Sequence, residues 1–230
     1  MPKTNDQKIL DLITTGEETN IALAFELCVG LQGQYGDKVA QRLRNFPFLC
    51  VKSNLENEYI KGIQEIHLSD QAFRQLPAEI GRFTNLKELI IEGGYLEMLP
   101  PEIKHLSKLE SLCVLTTQLL GLPPEIAALK QVNWIRLEEN NLTKLPAEIG
   151  QLGELLYLEL AFNKITHLPP EIDQLKKLVA LDLRENELTY LPDAIKALSQ
   201  LQTLNLVGNP LNLAQKSQLK NWLPRCKILL

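Results

Sequence analysis

The chain has 230 residues, 45% of them apolar and only 6% aromatic, so any core must be filled by aliphatic side chains. A formal charge of −4 argues against nucleic acid or an anionic membrane as partner, because phosphate binding needs clustered Lys and Arg. No apolar run reaches the roughly 18 residues of a membrane-spanning helix. The four cysteines, Cys28, Cys50, Cys113 and Cys226, stand singly without a CxxC pair, which predicts reduced thiols and a cytoplasmic location.

Residues 1–61 read as a helical N-terminal cap. The first residues, MPKTNDQKILDLI, lack the long apolar stretch of a secretory signal. Ile9, Leu10, Leu12 and Ile13 form a short apolar cluster closed by Thr15-Gly16. The segment from Ile21 to Leu31 is apolar nearly all round, preceded by capping residues Glu17 to Asn20 and ended by Gly30 and Gly33. Lys38 to Phe46 is a third amphipathic stretch, closed by Pro47. Phe48 to Val51 is expected as a strand leading into a sheet, and Asn54 to Lys61 as a polar loop.

From residue 62 to 212 the chain repeats itself. In Val132 to Leu152, apolar residues fall at Val132, Ile135, Leu137 and Leu142, with Asn140 between the last two, followed by Leu145-Pro146, Glu148-Ile149 and Leu152. The same pattern starts at Ile63, Leu86, Leu109, Val132, Leu155, Leu178 and Leu201, always 23 residues apart, without insertion or deletion. A fixed period of this kind predicts a stacked solenoid. Each LxL centre is expected as a short strand, with Asn140, Asn163, Asn186 and Asn209 buried at the turn. The first three repeats carry Gln71, Gly94 and Thr117 there, which predicts a less regular N-terminal half. The LPxEI segments, such as Leu145 to Ile149, place Pro and Glu where a helix starts, so short helices or 3₁₀ turns are expected on the convex side. Residues 213–230 break the pattern and are expected as a C-terminal cap of one helix and a last strand, with Trp222 in the core.

The LxxLxLxxNxL pattern in seven strict registers resembles the leucine-rich repeat family, in the 23-residue form of bacterial cytosolic and intracellular signalling-scaffold members. The resemblance implies an α/β solenoid: a right-handed horseshoe with a concave parallel sheet. It also implies an adaptor, scaffold or regulator of other proteins.

The sequence holds no catalytic signature such as GxxxxGK[ST], GxSxG or HExxH, and no cofactor is expected. His67 and Cys113, two repeats apart, are separated by roughly 10 Å, too far for a shared metal. Glu159 and Asp182 fall side by side on adjacent strands, the separation of a hydrolytic carboxylate pair, but an open sheet supplies no desolvated pocket. The expectation is therefore a non-catalytic protein.

Outward positions on the strands carry nine acidic residues, Glu65, Asp70, Glu88, Glu92, Glu138, Glu139, Glu159, Asp182 and Glu185, against Arg136 and Arg184. This balance favours a protein partner with a basic surface. Trp134, Tyr157 and Phe162 sit together among Arg136, Glu138, Glu159, Asp182 and Arg184, with Leu115 extending an apolar strip, a composition typical of protein-binding hot spots. Cys113 is expected to be partly exposed. A monomer that binds a protein on its concave face is the first reading; small-ligand or glycan recognition on the aromatic patch is the alternative.

Overall fold

The computed structural model describes residues 3–70 and 72–230. Gln71, the first of the variant turn residues, and the first two residues of the expected cap lie outside the described residues. The chain divides into two compact units, one ending at Ile63 and the other beginning at Gln64.

The N-terminal unit is helical: α1 (Asn5–Thr14), α2 (Glu18–Gly30), α3 (Asp37–Leu43), α4 (Pro47–Lys52) and α5 (Asn57–Gly62). Thr4 caps α1 by accepting the Gln7 N–H at 3.3 Å, and Gly16 ends the turn after it at φ +73°. The α2 helix buries Ile21, Ala24, Phe25 and Cys28, and Phe25 packs edge-on against Phe46 with ring centres 6.2 Å apart. Glu56 ties this unit together, accepting from the Tyr35 hydroxyl at 2.9 Å and from Arg44 at 2.8 Å.

Two sequence expectations fail here. Phe48 to Val51 is not a strand but part of α4. A four-residue apolar run has no period that separates strand from helix, and Pro47 decides the matter: it sits in the first turn, where its fixed φ and missing N–H suit a helix start. The presumed loop after Asn54 holds α5, a short helix that buries one side chain, Ile60.

The second unit is built around eight parallel strands in sequence order: β1 (Glu65–Ser69), β2 (Glu88–Glu92), β3 (Ser111–Leu115), β4 (Trp134–Arg136), β5 (Tyr157–Glu159), β6 (Ala180–Asp182), β7 (Thr203–Asn205) and β8 (Lys227–Leu229). Glu65 faces Glu88, Ser111 faces Trp134 and Trp134 faces Tyr157, each pair one repeat apart. The even spacing of leucines thus becomes a register in which every inward residue stacks on its own kind: Leu89, Leu112, Ile135, Leu158, Leu181 and Leu204 are all without exposed surface.

The return limbs are 3₁₀ turns, at Ala78–Arg82, Pro101–His105, Pro124–Ala128, Ala147–Gln151, Pro170–Gln174 and Asp193–Ala197. Proline precedes each of them, and the fully buried isoleucine of each closes the turn, as where Ile149 N–H donates to the Pro146 carbonyl at 3.1 Å. This α/β solenoid is the architecture expected from the repeat.

The asparagine positions form a buried ladder. Asn163 donates to the carbonyls of Leu137, Leu160 and Ala161 at 2.8, 3.0 and 3.2 Å and accepts the Leu142 N–H at 2.9 Å. Asn140 and Asn186 repeat the arrangement, Asn209 accepts the Leu188 N–H, and Thr117 joins the ladder by donating to Asn140. In the N-terminal half β1, β2 and β3 run five residues each, against three in β4 to β7.

The last helix, α6 (Leu213–Trp222), is capped by Asn212, which accepts the Gln215 N–H at 2.8 Å. Buried Gln215 then pairs with the Leu191 N–H and carbonyl at 2.9 and 2.7 Å, binding the helix to the last full repeat. Trp222 is not in the core as expected: it is half-buried, with the Lys196 ammonium 4.1 Å from its ring centre.

Candidate interaction face

Period-two alternation turns the residues between the stacked leucines outward, and the register sets their neighbours. Trp134 on β4 and Tyr157 on β5 face each other, with ring centres 6.2 Å apart at 61°. Such edge-to-face packing stiffens both rings, yet they remain 41% and 40% exposed. Leu115 stands at the end of β3, half-buried, and pairs with Glu92.

Beside the aromatic pair runs a chain of charges. Arg136 lies 2.6 Å from Glu138 and 3.1 Å from Glu159. Arg184 reaches Glu138 at 3.3 Å and lies 3.7 Å from Asp182. Asp182 also accepts from the Arg184 N–H at 3.0 Å and from Asn205 at 3.4 Å. Glu138 is the hub, with its side chain only 12% exposed. Burial pushes the Glu159 carboxyl above the usual glutamate range, helped by the Glu138 charge, while Arg136 and a hydrogen bond from Trp134 oppose the shift.

Phe162 stands at a different kind of position. With Asp70, Gly93, Thr116, Glu139, Glu185 and Gly208 it forms a row in which every residue has positive φ, 56° at Phe162 itself. This left-handed residue swings the chain from strand to turn in each repeat, and glycine fills it only twice. Phe162 is 46% exposed, with the Arg184 guanidinium 5.3 Å from its ring centre.

The structure therefore brings together eight of the nine residues picked from the sequence, in two touching groups: the aromatic pair and the charge chain that ends on Phe162. Leu115 meets them only through the backbone beside it, where the Thr116 N–H donates to the Glu138 carbonyl at 3.2 Å. Cys113 corrects the expectation of partial exposure: it is buried, 8% exposed, a small side chain between Ile90 and Arg136 in the register. Burial also raises its thiol pKa. Sequence reasoning missed Asn205 and Ala161. The second was within reach, since Glu138, Ala161 and Arg184 are spaced by the repeat length and a small central residue lets the outer two meet.

The Glu159–Asp182 pair, in register as expected, is engaged by Arg136, Arg184 and Asn205. Among the described residues, no group of three or more His, Cys, Asp or Glu is placed to hold a metal ion, and no helix is long and apolar enough to cross a membrane.

The family described as a leucine-rich repeat region matches residues 124–221. This is a leucine-rich repeat protein. A leucine-rich repeat protein of Leptospira interrogans is similar over 76% of the chain, with 33% identity and a TM-score of 0.59. The chain spans 51% of the length of that protein. An internalin of Listeria monocytogenes, at 17% identity and a TM-score of 0.62 over 76% of this chain and 50% of its own, shares the fold. The plant peptide hormone receptor RGFR1, in complex with RGF2, is 26% identical with a TM-score of 0.54, over 74% of this chain and 32% of its own. No curated protein matches the chain.

Proposed function

We propose that this leucine-rich repeat protein is a non-catalytic interaction module, an adaptor or regulator that docks a protein partner with a basic surface on the outward face of its sheet. The observation that carries the reading is the exposed Trp134–Tyr157 pair next to a charge chain already held in place. Rigid aromatics lose little rotamer entropy on docking, and a preformed face loses little backbone entropy. Family membership supports the same reading, since solenoids of this type are commonly interaction modules.

The site comprises Trp134, Tyr157 and Phe162 as anchors, Arg136, Glu138, Glu159, Asp182 and Arg184 as the selecting charges, and Leu115 at the rim. The protein acts as a monomer in the cytoplasm; its four free cysteines fit a reducing compartment. A small-molecule site would need walls around Trp134, whereas both rings stand on a sheet face and keep about two fifths of their surface in solvent.

Capture from source-cell lysate, wild type beside the Trp134→Ala/Tyr157→Ala double variant, tests the proposal. A protein retained by the wild type alone supports it. With that partner purified, Trp134→Ala is expected to weaken binding by about 2 kcal/mol or more, roughly thirtyfold. Equal retention by both proteins would place the site elsewhere.

A further inference from the structure

One row of outward residues crosses the sheet at right angles to the strands. The strand register sets its order as Glu65, Glu88, Ser111, Trp134 and Tyr157. It reads acid, acid, small, aromatic, aromatic. The two acids are direct neighbours on parallel strands about 4.8 Å apart, an arrangement that costs stability when both are charged.

Among the described residues, no ion pair offsets that cost. The outward strand positions of β1 to β3 hold Glu65, Glu88 and Glu92 and no Lys or Arg. Among the described residues, no ion pair forms to Glu65 or Glu88; Lys87, next in sequence, pairs with Glu110 at 3.5 Å, and His67 lies 3.7 Å from Glu92. On β4 to β6 and just beyond their ends, by contrast, Glu138, Glu159 and Asp182 are tied to Arg136 and Arg184. The positive-φ edge adds Asp70 on one side and Glu139 and Glu185 on the other, so it does not change which strands carry the unpaired acids.

We infer that the partner presents an extended segment along this row, with basic side chains over Glu65 and Glu88 and an apolar anchor on Trp134 and Tyr157. The inference rests on the reading that the strand face docks a protein, and adds the chemistry and direction of what docks. The centres of the acid pair and the aromatic pair are three strands apart, roughly 14 Å. An extended segment rises about 3.4 Å per residue, so its basic and apolar groups lie about four residues apart. Ser111, small and half-buried between the two pairs, leaves the segment free to pass.

The test uses the full chain and dye-labelled synthetic peptides followed by anisotropy. One peptide carries a lysine pair and a leucine pair with centres four residues apart; a second has glutamates for the lysines; a third has centres eight apart. The first peptide is expected to bind, with an affinity that falls as salt is raised, and to bind at least tenfold more tightly than either control. Glu65→Gln/Glu88→Gln is expected to weaken it by roughly 1.5- to fivefold for each carboxylate removed and, because repulsion is relieved, to leave the melting temperature unchanged or higher. That melting measurement separates lost docking from lost folding. If the double glutamine variant binds as the wild type does while Trp134→Ala/Tyr157→Ala loses binding, the direction is overturned and the docking face stands. If neither variant loses binding, or the first peptide does not bind at millimolar concentration, the inference is overturned; equal binding of the eight-residue peptide overturns the spacing.

Discussion

Arg184 reaches over a neighbouring strand to pair with Glu138, two repeats away, with 3.3 Å between guanidinium and carboxylate. Ala161 holds the outward position between them and has no exposed surface, although it faces away from the leucine core. The ion pair is its cover. The reach is made possible by the alanine, since any longer side chain would stand in the line between the two charges. Arg184 is imperfectly satisfied there: its Nε is buried and makes no hydrogen bond.

Ala161→Leu should therefore destabilise the protein by about 1–3 kcal/mol, the usual range for overfilling a closed site. Urea unfolding of the variant checks this. Arg184→Gln opens the cover without adding bulk, and in the double variant the cost of the leucine should shrink. An Ala161→Leu variant as stable as the wild type would show that Arg184 does not need the space.

The asparagine ladder gives a second prediction with a chemical control. Asn163→Asp keeps an oxygen for the buried Leu142 N–H but removes the amide that donates to Leu137, Leu160 and Ala161. It also places a carboxylate against three carbonyl oxygens. Each unsatisfied buried group costs about 1–3 kcal/mol, so the loss should be at least about 3 kcal/mol at pH 7. Because the aspartate is uncharged only at low pH, the gap to wild type should narrow on acidification. A constant gap would mean that the lost donors, not the carboxylate charge, set the cost; no gap at all would mean that the acceptor side of Asn163 alone sustains the turn.

Much of this was legible in the sequence, for a physical reason. In a solenoid, residues one repeat apart are neighbours in space, so Trp134 and Tyr157 could be placed side by side by counting, as could Glu159 and Asp182. What counting does not provide is side-chain reach, which joins Arg184 to Glu138 across two repeats. Nor does it provide backbone sign: the row of Phe162 reads as one more strand position, but it is the left-handed corner of the turn. Cys113 looked exposed because outward position was equated with exposure, whereas a short side chain among longer neighbours is buried. The helical unit lacks a repeat to align, and there local composition misplaced both α4 and the loop that proved to contain α5.

That corner carries a third prediction. Gly208 adopts φ +78°, and a Cβ there would meet the Glu185 carboxylate oxygens at 2.5 and 2.8 Å. Gly208→Ala should cost about 1–2 kcal/mol from the left-handed backbone, and little from the contact, because the exposed Glu185 side chain can swing aside. Adding Glu185→Ala should therefore leave most of the cost in place. Gly121, with negative φ and open space around it, is the control: Gly121→Ala should be neutral or slightly stabilising. Equal effects at the two glycines would refute the assignment of a special role to the corner.

Glu159 offers the last prediction, through its titration. Burial is the first cause of its raised pKa, the Glu138 charge the second, and Arg136 acts against both. The folded carboxyl thus holds its proton to higher pH than the unfolded one. Above the folded midpoint both states are ionised and the buried charge costs stability in full; as pH falls through that midpoint to the ordinary glutamate value, the cost disappears. Carbon-detected NMR of the Glu159 carboxyl should give a midpoint above that of an exposed glutamate. Glu138→Gln should lower it, by removing the like charge and by leaving Arg136 to Glu159 alone. Arg136→Gln should raise it further, since the opposing cation is gone. Opposite movements in these two variants are the signature of the charge chain, and a midpoint that ignores both would mean that burial alone sets the shift.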